Sequence, residues 1–446
     1  MTCIARSAHL SLLSIKLRPI VQFRFGCTVR HPVPFSLCLL VLLLSSAMPS
    51  IAQQNPIDPN LVQQPRMPDL PPLSNQLQLP EKLQFRVGQS AEHDSNVFRL
   101  PDSAIRQSDS YGVTNLGMTV DKRYGLQRIE LDVNAQDYRY KNNAGLDFTA
   151  INYAAAWRWS LTPKLIGNVT ADRREYLDNT SLVQSTGVVN RRTEEVRRLD
   201  GGYEIGGAWR LLAGVFNRSV NNSAAASAIA DSTVSGGEAG ASYLFLTGNS
   251  VAYRYRKGNG EYSGLADTKA PSRNFSDLEH ELSFELMPTG STTVQGRVTH
   301  LERKRDDSAA SEFSGLVGRV NANWIVTGKT RLDLGVIREL SSYQPNTTIP
   351  SYFEGERFYI SPVWKPTEKT AVRLRFDQGV RRYKGTLDPG NDGRRDTLRQ
   401  GGMSFEWEPL RSTKLVASVA SDKRSSNIPN LDYNAIILGL SALVKF

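Results

Sequence analysis

From Lys82 to the C-terminus, apolar side chains recur at every second position in short segments separated by turn residues, and no convincing stretch repeats at the helical period. Ile129, Leu131, Val133 and Ala135 alternate with Arg128, Glu130, Asp132, Asn134 and Gln136. Leu278, Leu282, Phe284 and Leu286 alternate with Glu279, Glu281, Ser283 and Glu285, and Val372, Leu374 and Phe376 with Arg373, Arg375 and Asp377. Each segment is a strand with one greasy and one wet face. A two-sheet sandwich alternates in the same way, so the pattern fixes strands and leaves their environment open.

Turn spacing narrows the choice. Short connections fall at 122–125, 161–164, around Trp209 and Arg210, and at 246–249, 287–290, 326–329, 365–368 and 408–411, roughly 40 residues apart. Longer polar excursions lie between them, such as 174–196, 218–234, 256–276, 339–355, 381–396 and 420–432. Short turns alternating with long loops are the plan of a transmembrane antiparallel up-and-down β-barrel, turns on the periplasmic side and loops outside. Eight turns with both termini periplasmic give nine hairpins, hence 18 strands over 82–446. The segments at 197–208 and 211–218 are the least regular, which leaves 16 as the alternative count.

Two further signals agree. Leu438, Leu440, Ala442, Val444 and Phe446 share one face of the last segment, which resembles the recognition strand that the barrel-assembly machinery reads in bacterial outer-membrane barrels. An ordinary edge strand would be short or charged. All six tryptophans (Trp157, Trp159, Trp209, Trp324, Trp364 and Trp407) sit within a few residues of a short turn, as an aromatic girdle at one interface requires.

Composition removes other classes. The longest apolar run, 35–44, is half the ~20 residues a helical span needs, so the chain is not a polytopic helical membrane protein. Arg18, Arg24 and Arg30 precede that run and Ser50-Ile51-Ala52 follows it, so 1–52 reads as a signal peptide. Residues 53–81 read as a Pro/Gln-rich periplasmic tether. The leader carries five basic residues and no acids, so its removal lowers the formal charge from +10 to +5, too little for a nucleic-acid partner. Cys3, Cys27 and Cys38 all lie in the leader, which leaves no thiol for a disulfide or metal site.

Signatures of chemistry are sparse. Gly328-Lys329-Thr330 looks like the tail of a phosphate loop, but Asn323 stands where the upstream Gly belongs and the context is a hairpin turn. His280 and His300 should meet across the 287–290 hairpin at the outer interface, where they read as amphipathic boundary residues and not as a metal site. We expect no catalytic residues, cofactor or metal. Taking the apolar parity as outward, Arg254, Arg256, Arg297, Arg319, Arg331, Arg373 and Arg375 face the lumen with Glu279 and Glu281. Arg254 and Arg256 beside Glu279 and Glu281 fit a self-neutralising ladder. Arg373 and Arg375 read as unpaired arginines of a polar conduit that draws anionic solutes.

Asp94-Ser95-Asn96-Val97-Phe98-Arg99, after an opening strand and a Pro/Gln-rich spacer, resembles a stretch in bacterial outer-membrane β-barrels encoded with exopolysaccharide-biosynthesis genes, within the wider β-barrel porin group. The likeness covers most of 82–446, including Tyr153-Ala154-Ala155-Ala156-Trp157 and the Phe446 ending. It implies a non-enzymatic component of the outer membrane that contacts outer-membrane lipid, exports an exopolysaccharide and works with other export-system proteins. The alternative is a general or substrate-selective uptake porin.

Overall fold

The computed structural model describes residues 82–177, 190–223, 231–263, 274–305, 312–343, 351–384 and 393–446. The signal peptide and tether expected at 1–52 and 53–81 lie outside the described residues. The strands are β1 (Lys82–Asp94), β2 (Asp109–Tyr124), β3 (Gln127–Tyr140), β4 (Phe148–Thr162), β5 (Leu165–Leu177), β6 (Arg191–Gly206), β7 (Trp209–Asn222), β8 (Asp231–Leu244) and β9 (Ser250–Ser263). The second half contains β10 (Asn274–Thr289), β11 (Thr292–Arg305), β12 (Phe313–Thr327), β13 (Thr330–Tyr343), β14 (Ser351–Thr367), β15 (Thr370–Lys384), β16 (Arg395–Leu410), β17 (Thr413–Ser426) and β18 (Tyr433–Lys445).

Each strand pairs antiparallel with its neighbours in sequence, and β1 pairs with β18, so the 18-stranded sheet closes on itself. The count of 18 stands and 16 falls. At the seam the Phe85 and Phe446 backbones exchange two hydrogen bonds of 3.0 Å, so the last residue of the chain completes the ring. Closure removes every edge, the condition for a sheet to survive in lipid.

The strands run 13 to 17 residues, beyond the nine to eleven that a tilted strand needs to cross a bilayer. The excess lies at the long-loop ends: β6 starts at Arg191, six residues before the segment expected at 197–208, and β17 runs to Ser426, inside the polar excursion expected at 420–432. Outside the bilayer the backbone still needs its ladder partners, while outward side chains such as Arg191, Glu195 and Arg197 no longer need to be apolar. Hydrogen bonding therefore outlasts the hydrophobic signal. The turn expected at Trp209 and Arg210 sits two residues earlier, at Gly207 and Ala208, and Trp209 already belongs to β7. Gly207 has a φ of +29°, which a side chain would disfavour.

Register assigns the two faces. Outward residues form an exposed apolar belt that includes Leu116, Ile129, Ile151, Leu199, Leu374, Met403 and Leu438. A belt of this extent has no stable home in water. Each tryptophan lies on the outward parity near a short turn, and Thr292, Thr330 and Thr370 face Trp324, Trp364 and Trp407 across successive hairpins. The chain is an outer-membrane β-barrel with an aromatic girdle at the turn side. Lys329 Nζ donates to the Pro366 carbonyl (3.0 Å) of the next turn, which places Gly328-Lys329-Thr330 in a hairpin.

The segment Asp94–Arg99 is a buckle on the inner wall. Asp94 Oδ1 accepts the Asn96 N–H (2.8 Å), Asn96 Oδ1 accepts the Leu100 N–H (2.8 Å), and Arg99 takes the left-handed region at φ 53°. Arg99 then reaches Asp94 at 2.7 Å and Asp422 of β17 at 3.1 Å, fully buried.

Candidate functional site in the barrel lumen

The nine residues assigned to the lumen from sequence all fall on the inward parity. Arg254 and Arg256 of β9 stand opposite Glu281 and Glu279 of β10. They form a dense network: Arg256 contacts Glu281 at 2.5 Å, Glu238 at 2.6 Å and Glu279 at 3.3 Å, and Arg254 contacts Glu281 at 3.3 Å. Arg218 joins through Glu279 (2.9 Å), Arg198 through Glu238 (2.5 Å) and Arg297 through Glu281 (3.1 Å). With every carboxylate shared between arginines, this sector braces the wall. Arg198, Arg218 and Glu238 escaped the sequence reading because β6 to β8 carry inward glycines in place of a clean alternation. Gly240 faces Arg254, and a Cβ there would lie 2.1 Å from the Tyr253 carbonyl oxygen.

Arg373 and Arg375 do point inward, but they are paired. Arg373 Nε lies 3.4 Å from Glu406, and Arg375 Nε lies 2.6 Å from Asp377 and stacks 4.5 Å over the Tyr359 ring. The expectation of free charge there fails because Glu406 lies on β16, beyond the local pattern, while Asp377 lies two residues along the same inner face.

The accessible charge lies on the neighbouring strands. Arg297 and Arg331 keep side-chain exposures of 39% and 42% although they face the lumen, and Arg331 holds Asp333 at 3.1 Å. Arg319 is exposed and lies directly opposite Arg297. Arg319 makes no ion pair or hydrogen bond with another described residue, and neither does Arg174 on the inner face of β5. These two guanidinium groups are within electrostatic range of one another. Glu339 of β13 likewise reaches Glu194 and Arg192 of β6. A circular ring of this many strands is ~36 Å across at ~4.8 Å spacing and ~40° tilt. Groups seven strands apart come within that range only if the bore narrows between β5–β6 and β12–β13.

Charge around this narrowing is uneven. β11 to β15 turn Arg297, Arg303, Arg319, Arg331, Arg357, Arg373, Arg375 and Arg381 inward against Asp333, Glu339 and Asp377, and Glu281, Asp277 and Glu406 of the flanking strands pair Arg297, Arg303 and Arg373. Across the ring, β2 and β3 turn Asp109, Asp121, Glu130 and Asp132 inward against Arg123 and Arg128, with Arg86 of β1 on Asp132 at 2.8 Å and Arg158 of β4 on Glu130 at 2.9 Å, so this sector is balanced. A low-dielectric wall focuses the surplus of guanidinium on β11 to β15 into the bore. His280 and His300 are cross-strand partners on the outer face, and no group of metal-ligating residues occurs among the described residues.

No family model matches the chain, and no curated protein matches it in sequence. Among solved structures it is similar to the Pseudomonas aeruginosa protein OccK1 (OpdK), at 12% identity and a TM-score of 0.45 over 82% of this chain and 99% of that one. It is also similar to a BenF-like porin from Pseudomonas fluorescens Pf-5, at 11% identity and a TM-score of 0.46 over 82% and 99%. The outer membrane channel DcaP of Acinetobacter baumannii aligns at 10% identity and a TM-score of 0.43 over 82% and 97%. The strand count and closure described above rest on this chain's own register.

Proposed function

We propose that the barrel is an outer-membrane uptake channel that favours small anionic solutes. The observation that carries this reading is the pair Arg174 and Arg319, two guanidinium groups that make no ion pair or hydrogen bond with another described residue and lie within electrostatic range of each other where the bore narrows, with Glu339 also in range of Arg319. Like charges held in a confined space repel, and an anion passing between them relieves that repulsion while gaining charge-assisted hydrogen bonds. Polymer export, the reading implied by the sequence resemblance, fits less well, because a constriction of two opposed arginines would bind a bulky chain at each repeat.

Liposome swelling tests the proposal. Vesicles carrying the barrel should admit a small sugar acid faster than a neutral sugar of the same size, and Arg174→Gln with Arg319→Gln should bring the two rates together. Equal rates through the unaltered barrel would overturn it. Lost polymer secretion in a deletion strain, restored by the intact gene, would favour export instead.

A further inference from the structure

The outward face carries a second uncompensated charge cluster, distinct from the lumen. On β15 to β17, at the loop-side edge of the apolar belt, Arg382 stands directly opposite Arg395, and Arg399 directly opposite Lys423. Like charges facing each other across a ladder destabilise it unless something neutralises them. Arg382 has Glu356 at 2.8 Å. The side chains of Arg395, Arg399 and Lys423 are exposed and make no ion pair or hydrogen bond with another described residue. Several outward arginines elsewhere at the loop end are compensated, Arg139 by Asp137 at 2.8 Å and Arg338 by Glu354 at 3.5 Å.

Height identifies what these cations meet. On β16, Trp407 marks the turn-side interface. Arg399 lies eight residues further along the strand. That is ~26 Å along the chain and ~20 Å along the membrane normal at ~40° tilt, against an apolar band of ~25 Å. Arg399 and its partner Lys423 thus sit ~5 Å below the upper boundary, a gap their long side chains span, and Arg395, twelve residues from Trp407, stands above it at ~30 Å. We infer that this face binds the phosphate groups of the phosphorylated glycolipid of the outer leaflet, one oxyanion bridging each opposed pair. Guanidinium forks grip phosphate bidentately, and basic residues at a membrane boundary attract anionic headgroups.

Native mass spectrometry of the detergent-solubilised barrel with defined lipids tests this. The unaltered protein should retain bisphosphorylated lipid A about tenfold more than its phosphate-free form or phosphatidylglycerol. The triple variant Arg395→Gln, Arg399→Gln, Lys423→Gln should lose that preference while keeping its heat-modifiable mobility, and Arg338→Gln, at a compensated pair, should keep it. If the triple variant does not fold, Arg399→Gln alone should weaken the preference. Equal retention of the three lipids, an unchanged preference in the folded variants, or an equal loss in Arg338→Gln would each overturn the inference.

Discussion

Arg99 shows how one residue can look like a motif for function and serve architecture. It is fully buried and held by Asp94 and Asp422, and its guanidinium lies 6.0 Å over the Tyr433 ring. Burial alone would lower its pKa, but the two carboxylates outweigh that and raise it above the ordinary value. The group therefore stays charged throughout the accessible pH range. Arg99→Ala should cost about 3–5 kcal/mol, because it strands two buried carboxylates, and Arg99→Lys should cost less. The check is the temperature at which the folded gel band converts to the unfolded one. An unchanged conversion temperature for Arg99→Ala would mean that the buckle carries no stability. The sequence displayed this segment plainly, but its partner Asp422 is 323 positions away and only the closed ring brings them together. The same reason explains the lumen. Parity placed Arg319 and Arg373 inward, but only register and cross-section reveal which has a carboxylate within reach.

Individual strands carry their own tests. β15 presents Leu374 outward, 46% exposed, and Arg373 and Arg375 inward. Leu374→Arg should destabilise the barrel by about 2–4 kcal/mol near the bilayer midplane. Unfolding in urea from lipid vesicles measures this, and a silent substitution would reverse the inside-outside assignment. At the seam, deletion of Phe446 removes both hydrogen bonds to Phe85 and the terminal aromatic of the outward row that includes Val444 and Ala442. Insertion should fall while passage across the inner membrane continues, so the deletion variant should accumulate in the periplasm. Full insertion of that variant would show that the last strand is not the assembly signal. Strand identity was legible wherever the outward side chains meet lipid, as in β3, β10 and β15. It faded at the loop ends and in β6 to β8, where glycines face inward and the ladder runs on without a hydrophobic partner face.

At the scale of the whole molecule, the barrel is a closed apolar surface around an electrically asymmetric bore. The dense network of Arg254, Arg256, Glu238, Glu279 and Glu281 neutralises one sector, so the net field comes from β11 to β15 and from Arg174 across the narrowing. Neither the turn spacing nor the alternation could have located that narrowing, since it depends on how the ring departs from a circle. The reversal potential of single barrels in a planar bilayer under a salt gradient tests the central claim most directly. We predict anion preference for the unaltered barrel, larger at low ionic strength where screening is weak. Arg174→Glu with Arg319→Glu should shift it toward cations at unchanged gel mobility. A cation-selective or non-selective unaltered barrel, or a reversal potential indifferent to the double substitution, would contradict the account.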